Sequence, residues 1–359
     1  MNKKAFHLFL LIAAALNIGV TDANENLKIE NSIQTGVEYD TNVFKTFSGS
    51  EQDFLTRLLL QSKGDYWVNQ NFTWGWDYQG GGKKFIHDDA QDQIIQSVAV
   101  PLRFALSAPV QILLEPDFKY QNENNKLDAG GDDVNEDFLS TKSQVRIFVA
   151  LPHRFFLIPQ GAFTYFHFYP DQTFSFYREE MGLSVEKRIQ NFTLGLSYDY
   201  LRQQFQNSFR VDSIQEVSPY LQFMKTPFVS LRYTYQTNHS NDPVFSFTNH
   251  KISLLSSFLF GKYKTQRENL PSAMFSLHFI GTLQLKNYSS VTAETPEGER
   301  FLVTSSEEEN FNNLIVKFNY HFYKKWSFET KYTRVSNDLT NQATHYARSL
   351  YYAGLRYDF

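Results

Sequence analysis

The chain of 359 residues contains no cysteine. That excludes a disulfide scaffold and a thiolate metal site, and it removes the residue on which a lipoprotein anchor is built. A dominant charge is lacking too: 34 Lys and Arg stand against 38 Asp and Glu, for a formal net charge of −4. So mild a balance argues against a dedicated nucleic-acid partner. Beyond the first residues, no apolar stretch approaches the roughly 20 residues that a spanning helix needs. What the chain has in abundance is aromatic: 35 Phe and 21 Tyr.

The first residues carry an address. Lys3 and Lys4 precede an apolar run from Ala5 to Leu16 broken only by His7, and Thr21-Asp22-Ala23 offers small residues for cleavage. This is the layout of a secretory signal peptide. It divides the chain into a signal over 1–23 and a single domain over 24–359. A secreted chain without spanning helices can enter a membrane only as a closed barrel, because closure pairs every backbone polar group away from water.

Period-two alternation runs through the rest. Phe72, Trp74, Trp76 and Tyr78 oppose Thr73, Gly75, Asp77 and Gln79. Leu194, Leu196, Tyr198 and Tyr200 oppose Thr193, Gly195, Ser197 and Asp199, and Val229, Leu231, Tyr233 and Tyr235 oppose Ser230, Arg232, Thr234 and Gln236. Such segments are half-apolar strands; on a helix the same spacing would scatter apolar groups around the axis. Short joints, as at Ser107-Ala108-Pro109, Pro152-His153-Arg154 and Lys324-Lys325, alternate with long polar stretches such as Asn122 to Glu136 and Asn287 to Asn310. Aromatic residues follow several short joints, namely Phe156, Phe192, Phe228 and Trp326, and are expected to form a girdle at one rim.

The fold expected is an all-β, antiparallel, up-and-down transmembrane barrel of about sixteen strands, with fourteen or eighteen also compatible. Strands are expected to start roughly at residues 30, 53, 70, 93, 111, 138, 157, 174, 192, 212, 228, 246, 273, 311, 326 and 346. Pro101 interrupts the fourth, and a long joint runs from Gly261 to Pro271.

Two resemblances sharpen this. In the last residues, Tyr351, Ala353, Leu355, Tyr357 and Phe359 share one parity and the chain ends on an aromatic. The pattern resembles the closing strand of bacterial outer-membrane β-barrels, which implies that Tyr351, Leu355, Tyr357 and Phe359 form an assembly signal read by the barrel-assembly machinery. Gly36-Val37-Glu38-Tyr39-Asp40-Thr41-Asn42-Val43-Phe44 resembles the opening strand of barrels associated with exopolysaccharide export or surface-lipoprotein assembly. The helical repeat domain of the lipoprotein-assembly group does not precede it here.

Charges at mid-membrane are costly on the lipid face, so strand charges belong inside. Candidate lumen-lining residues are Arg57, Arg103, Glu115, Asp117, Lys119, Lys142, Arg146, Arg178, Glu180, Arg232 and Lys317. Lys251, Lys331, Asp77, Glu186, Asp199, Glu216 and Glu329 share their parity. They suit either a polar path or a salt-bridged network filling a narrow lumen. Catalytic signals are thin. Outer-membrane lipid hydrolases place His and Ser two apart on one strand, whereas His239 and Ser240 are adjacent and should face opposite ways. Acidic clusters at His87-Asp88-Asp89, Asp128 to Asp133 and Glu307-Glu308-Glu309 lack the spacing of a calcium loop. The expectation is therefore a non-enzymatic conduit in the bacterial outer membrane for polar solutes or polysaccharide, with no cofactor. The rival readings are a plugged structural or adhesive barrel that binds partners through its long loops, and, third, a lipid hydrolase. Expected partners are outer-membrane lipids, lipopolysaccharide, the assembly machinery and envelope export components.

Overall fold

Each alternating segment is a strand in the computed structural model, which describes residues 26–42, 51–87, 92–123, 137–169, 172–261, 263–264, 271–272, 274–288, 291–294, 300–303, 311–323, 325–337 and 346–359. The expected signal peptide, Val43 and Phe44, Asp88-Asp89, Asp128 to Asp133 and Glu307 to Glu309 lie outside the described residues.

The strands are β1 (Leu27–Asp40), β2 (Asp53–Asn69), β3 (Phe72–Phe85), β4 (Gln93–Ala99 with Leu102–Ser107), β5 (Val110–Glu123), β6 (Phe138–Leu151), β7 (Phe155–Phe168) and β8 (Phe176–Ile189). They continue as β9 (Phe192–Phe205), β10 (Val211–Met224), β11 (Phe228–Ser240), β12 (Phe247–Phe260), β13 (Phe275–Tyr288), β14 (Phe311–Tyr323), β15 (Trp326–Asn337) and β16 (Tyr346–Asp358). Every strand pairs antiparallel with its sequence neighbours. β1 pairs with β16 from Ser32↔Asp358 to Asp40↔Leu350, which closes the wall and leaves no edge.

β4 is one crossing in two pieces, since both lie between β3 and β5. Proline has no N–H to give the ladder. The backbone closes around it instead: Gly75 N–H donates to the Pro101 carbonyl at 2.8 Å, and Val100 N–H to the Pro116 carbonyl at 2.9 Å.

Connections sort by length. Residues 70–71, 108–109, 152–154, 190–191 and 225–227 are tight joints at one rim, where β12 and β14 end and β13 and β15 begin, and where 263–264 pair with 271–272. The strands that flank 41–52, 124–137 and 289–310 in sequence have those ends at the opposite rim. Short turns against long loops is the arrangement of outer-membrane barrels.

Burial is inverted relative to a water-soluble protein. On β9, Leu196 is 53% exposed while its neighbour Ser197 is 3% exposed. Leu194, Tyr198 and Tyr200 follow the first, and Thr193, Asp199 and Gln203 the second. The apolar surface therefore faces outward around the wall and needs lipid to cover it. Outward aromatics cluster near the short-turn rim, where Phe72 stacks on Phe104 at 4.7 Å, Phe192 meets Phe223 at 5.0 Å, and Trp326 meets Tyr357 at 4.8 Å. Phe192 and Trp326 belong to this girdle. Phe156 and Phe228 do not, because they share the inward parity of Gln160 and Arg232 on their own strands. Higher up, the outward ring of Trp76 lies over Gly64 and donates its Nε1 proton to Ser62 Oγ at 3.0 Å, so neither polar group meets lipid unpaired.

Candidate functional site

The inner face differs from one side of the barrel to the other. Around the closing seam, two adjacent rows of opposed residues cross six strands. One runs Lys317, Lys331, Tyr352, Glu38, Leu55, Phe85; the other runs Asn319, Glu329, Gly354, Gly36, Arg57, Lys83. Like charges face each other directly at Lys317↔Lys331 and Arg57↔Lys83, a destabilising arrangement by itself. Carboxylates placed diagonally relieve it. Glu38, 1% exposed, takes Lys83 Nζ at 3.2 Å and Arg57 at 3.7 Å, and Glu329 takes Lys317 Nζ at 2.5 Å. The Tyr352 ring lies under both Arg57 and Lys331, at 5.7 and 5.8 Å. Room for that ring comes from Gly36, where an added Cβ would stand 2.7 Å from it. Above, buried Asp40 receives the Arg348 guanidinium.

The opposite wall, β8 to β13, holds a recess of about 430 Å³. Its lining includes the cations Arg178, Arg210, Arg232, Lys251 and Lys286 and the carboxylates Asp212 and Glu216. Arg210 is held by Asp212 at 2.7 Å and lies between the rings of Phe205 and Phe245, at 4.3 and 3.7 Å. Arg178 donates to the neutral Gln203 amide oxygen at 2.5 and 3.0 Å. Glu216 accepts from Gln236 at 2.7 Å, and Gln236 accepts in turn from Asn249 at 2.8 Å. Tyr220 folds over Gly195, where a Cβ would stand 2.1 Å from its ring, and its hydroxyl reaches across β9 to Glu186 at 2.7 Å. Arg232 stacks on that tyrosine at 4.8 Å.

The register puts the other expected residues on this same face. Asp117, Lys142, Thr164, Arg178 and Gln203 form one row, and Glu115, Gln144, Ala162 and Glu180 the next. Arg146 lies opposite Gln160, and its buried Nε has no hydrogen-bond partner among the described residues. Lys119 sits over the Phe138 ring at 5.0 Å, and Arg103 pairs with Asp65 at 2.6 Å near the short-turn rim. Tyr351, Leu355 and Tyr357 face outward on β16, and the Phe359 backbone bonds to Asn31 in both directions, at 2.9 and 3.3 Å. Sequence reasoning missed Glu38, Asp40, Lys83, Arg210 and Lys286. Glu38 and Asp40 stand in plain alternation with Gln34 and Gly36, so parity marked them; Arg210 lies in a connection, where parity is silent.

The hydrolase signal does not assemble. His239 points outward and is exposed, while Ser240 points inward. Ser213 faces His239 across the strand pair, but its Oγ accepts from the Tyr200 hydroxyl at 3.4 Å.

No protein-family model matches the chain, and no curated protein matches it in sequence. Similar solved structures include a bacterial polysaccharide outer membrane secretin, at 7% identity and a TM-score of 0.44 over 92% of this chain and 98% of that one. An anion-selective porin from Comamonas acidovorans is 10% identical with a TM-score of 0.48, over 93% of this chain and 99% of the porin. OccAB3 of Acinetobacter baumannii is 9% identical with a TM-score of 0.48, over 93% and 99%. At these identities and scores the likeness carries no argument about activity. The wall itself does the identifying: closed, sixteen strands round, greasy outside and charged within, it makes the chain a bacterial outer-membrane β-barrel protein.

Proposed function

We propose that the barrel is a non-enzymatic conduit for polar solutes, small or polymeric, with a preference for anions. The observation that carries this reading is the recess on the β8–β13 wall, where five cations stand against two carboxylates. Sixteen strands are enough to enclose an aqueous channel rather than a packed core. In a low-dielectric wall, inward cations raise the local concentration of anions, and salt weakens the effect as the screening length falls below about 10 Å. Arg178, Arg232 and Lys251 would line the path. The seam cations would contribute less, since Glu38 and Glu329 offset part of their field.

Single-channel recording in planar bilayers tests the proposal. Discrete conductance steps are expected, with a reversal potential displaced toward the anion Nernst potential in a KCl gradient and a displacement that shrinks with salt. Protein that inserts and stays closed would favour the plugged, adhesive barrel instead.

A further inference from the structure

The rows of opposed residues climb the wall. The row that starts at Ser276, beside the short-turn rim, passes Asn319, Glu329, Gly354, Gly36, Arg57, Lys83 and Gln93 and ends at Glu123, beside the long-loop rim. Moving along a row in strand order therefore rises toward the loops. Arg232 lies opposite Ser253, two residues below Lys251 on β12, and Lys251 lies opposite Gln284, two residues below Lys286 on β13. Each step from Arg232 to Lys251 to Lys286 thus moves one strand across and one residue pair up.

The tilt converts those steps into a vertical line. With strands tilted by about 40°, one strand of about 4.8 Å raises the position by about 3 Å and one residue pair of about 6.7 Å raises it by about 5 Å. Their sideways components are opposite and nearly equal, so they cancel. Arg232, Lys251 and Lys286 therefore stack parallel to the barrel axis at intervals of about 8 Å. Uncharged hydrogen-bonding groups flank them: Thr234 and Asn249 on one side, Ser253 and Gln284 on the other. Rings steady the ends, with Arg232 over Tyr220 at 4.8 Å and Lys286 over Phe247 at 4.0 Å. Between them, no hydrogen bond or ion pair engages Lys251 among the described residues, while Glu216 is already turned to Gln236 at 2.7 Å.

We propose that this column is a binding track for linear anions carrying two or more phosphate or carboxylate groups, which bridge neighbouring cations. The inference rests on the conduit reading for its purpose but not for its chemistry. Three fixed cations in file reward a ligand that engages them together, because the second and third contacts become intramolecular. An anion with a single such group gains nothing from the alignment.

The experiment is isothermal titration of the full chain, folded in detergent, with inorganic tripolyphosphate, with adipate as the carboxylate arm, and with orthophosphate and acetate as single-group controls. Each two- or three-group anion should bind roughly tenfold or more tighter than its control. Lys251→Gln/Lys286→Gln should lose that advantage, and Lys251→Arg/Lys286→Arg should retain it. Lys28→Gln/Lys63→Gln removes the same charge from the same face, where the partners are Glu30 and Asp77, and should bind as the parent does. Equal weakening in both glutamine pairs would reduce the effect to net charge and overturn the track. So would equal affinity for single-group and multi-group anions. Binding by a barrel that never conducts would sink the conduit reading alone; conduction without discrimination among the variants would sink the track alone.

Discussion

The seam wall and the recess wall are built from the same residue types, yet they put cations to opposite use. At the seam, Arg57 and Lys83 converge on the buried Glu38, and Lys317 on Glu329. On the recess wall Arg232, Lys251 and Lys286 are offset by one strand and one pair from each other, with amides and hydroxyls between them and Glu216. A cation diagonal to a carboxylate is a staple, whereas a cation diagonal to another cation along the axis adds to its field. The lesson is that inward charge says little until the register says what lies diagonally beside it. The seam is also where the first strand meets the last, and there a wall cross-braced by Glu38 and Glu329 holds β1 to β16.

The contrast can be broken most severely at the seam. Glu38→Ala leaves Arg57 and Lys83 facing each other without their carboxylate, and removing one partner of a buried pair costs about 3 kcal/mol. Partial exposure of both cations keeps the figure at the low end of that range. Urea titration of the folded, heat-modifiable band in detergent should show the loss, and an unchanged midpoint would mean that the seam is not stapled by charge. Deleting Phe359 acts on the same seam through its backbone bonds to Asn31 and its ring beside Tyr357 at 5.9 Å. The yield of membrane-inserted barrel should fall several-fold more than for a deletion within a long loop; equal yields would remove Phe359 from the assembly signal. The smallest effect belongs to the open wall. Arg146→Ser/Arg178→Ser should fold normally and move the reversal potential a few millivolts toward cations, a change set by screened charge. A conducting double variant with the parent's reversal potential would show that these side chains do not face the path.

Much of the architecture was legible because one face of every strand meets lipid. That demand writes itself as alternation, and the expected starts lie within three residues of the observed ones, the largest gap being 30 against Leu27. Pro101 announced the break in β4, since a residue without an N–H must interrupt a ladder. Parity also assigned the inward face for Lys142, Arg146, Arg178 and Arg232. What failed was the expectation that an aromatic after a tight joint faces lipid: Phe156 and Phe228 fall on the inward parity of Gln160 and Arg232, since one residue more or less in the joint exchanges lumen for lipid.

Sequence by itself determined the class of molecule: no spanning helix, no cysteine, two-faced strands, and connections that alternate in length. Those properties are local, each set by the solvent that a single segment must meet. Which charge stands beside which was decided only by the closed wall. Glu38 and Lys83 are separated by 45 residues along the chain, and Arg232, Lys251 and Lys286 lie on three different strands. Register and tilt, which emerge only when all sixteen strands close together, turned the first pair into a staple and the other three into a column.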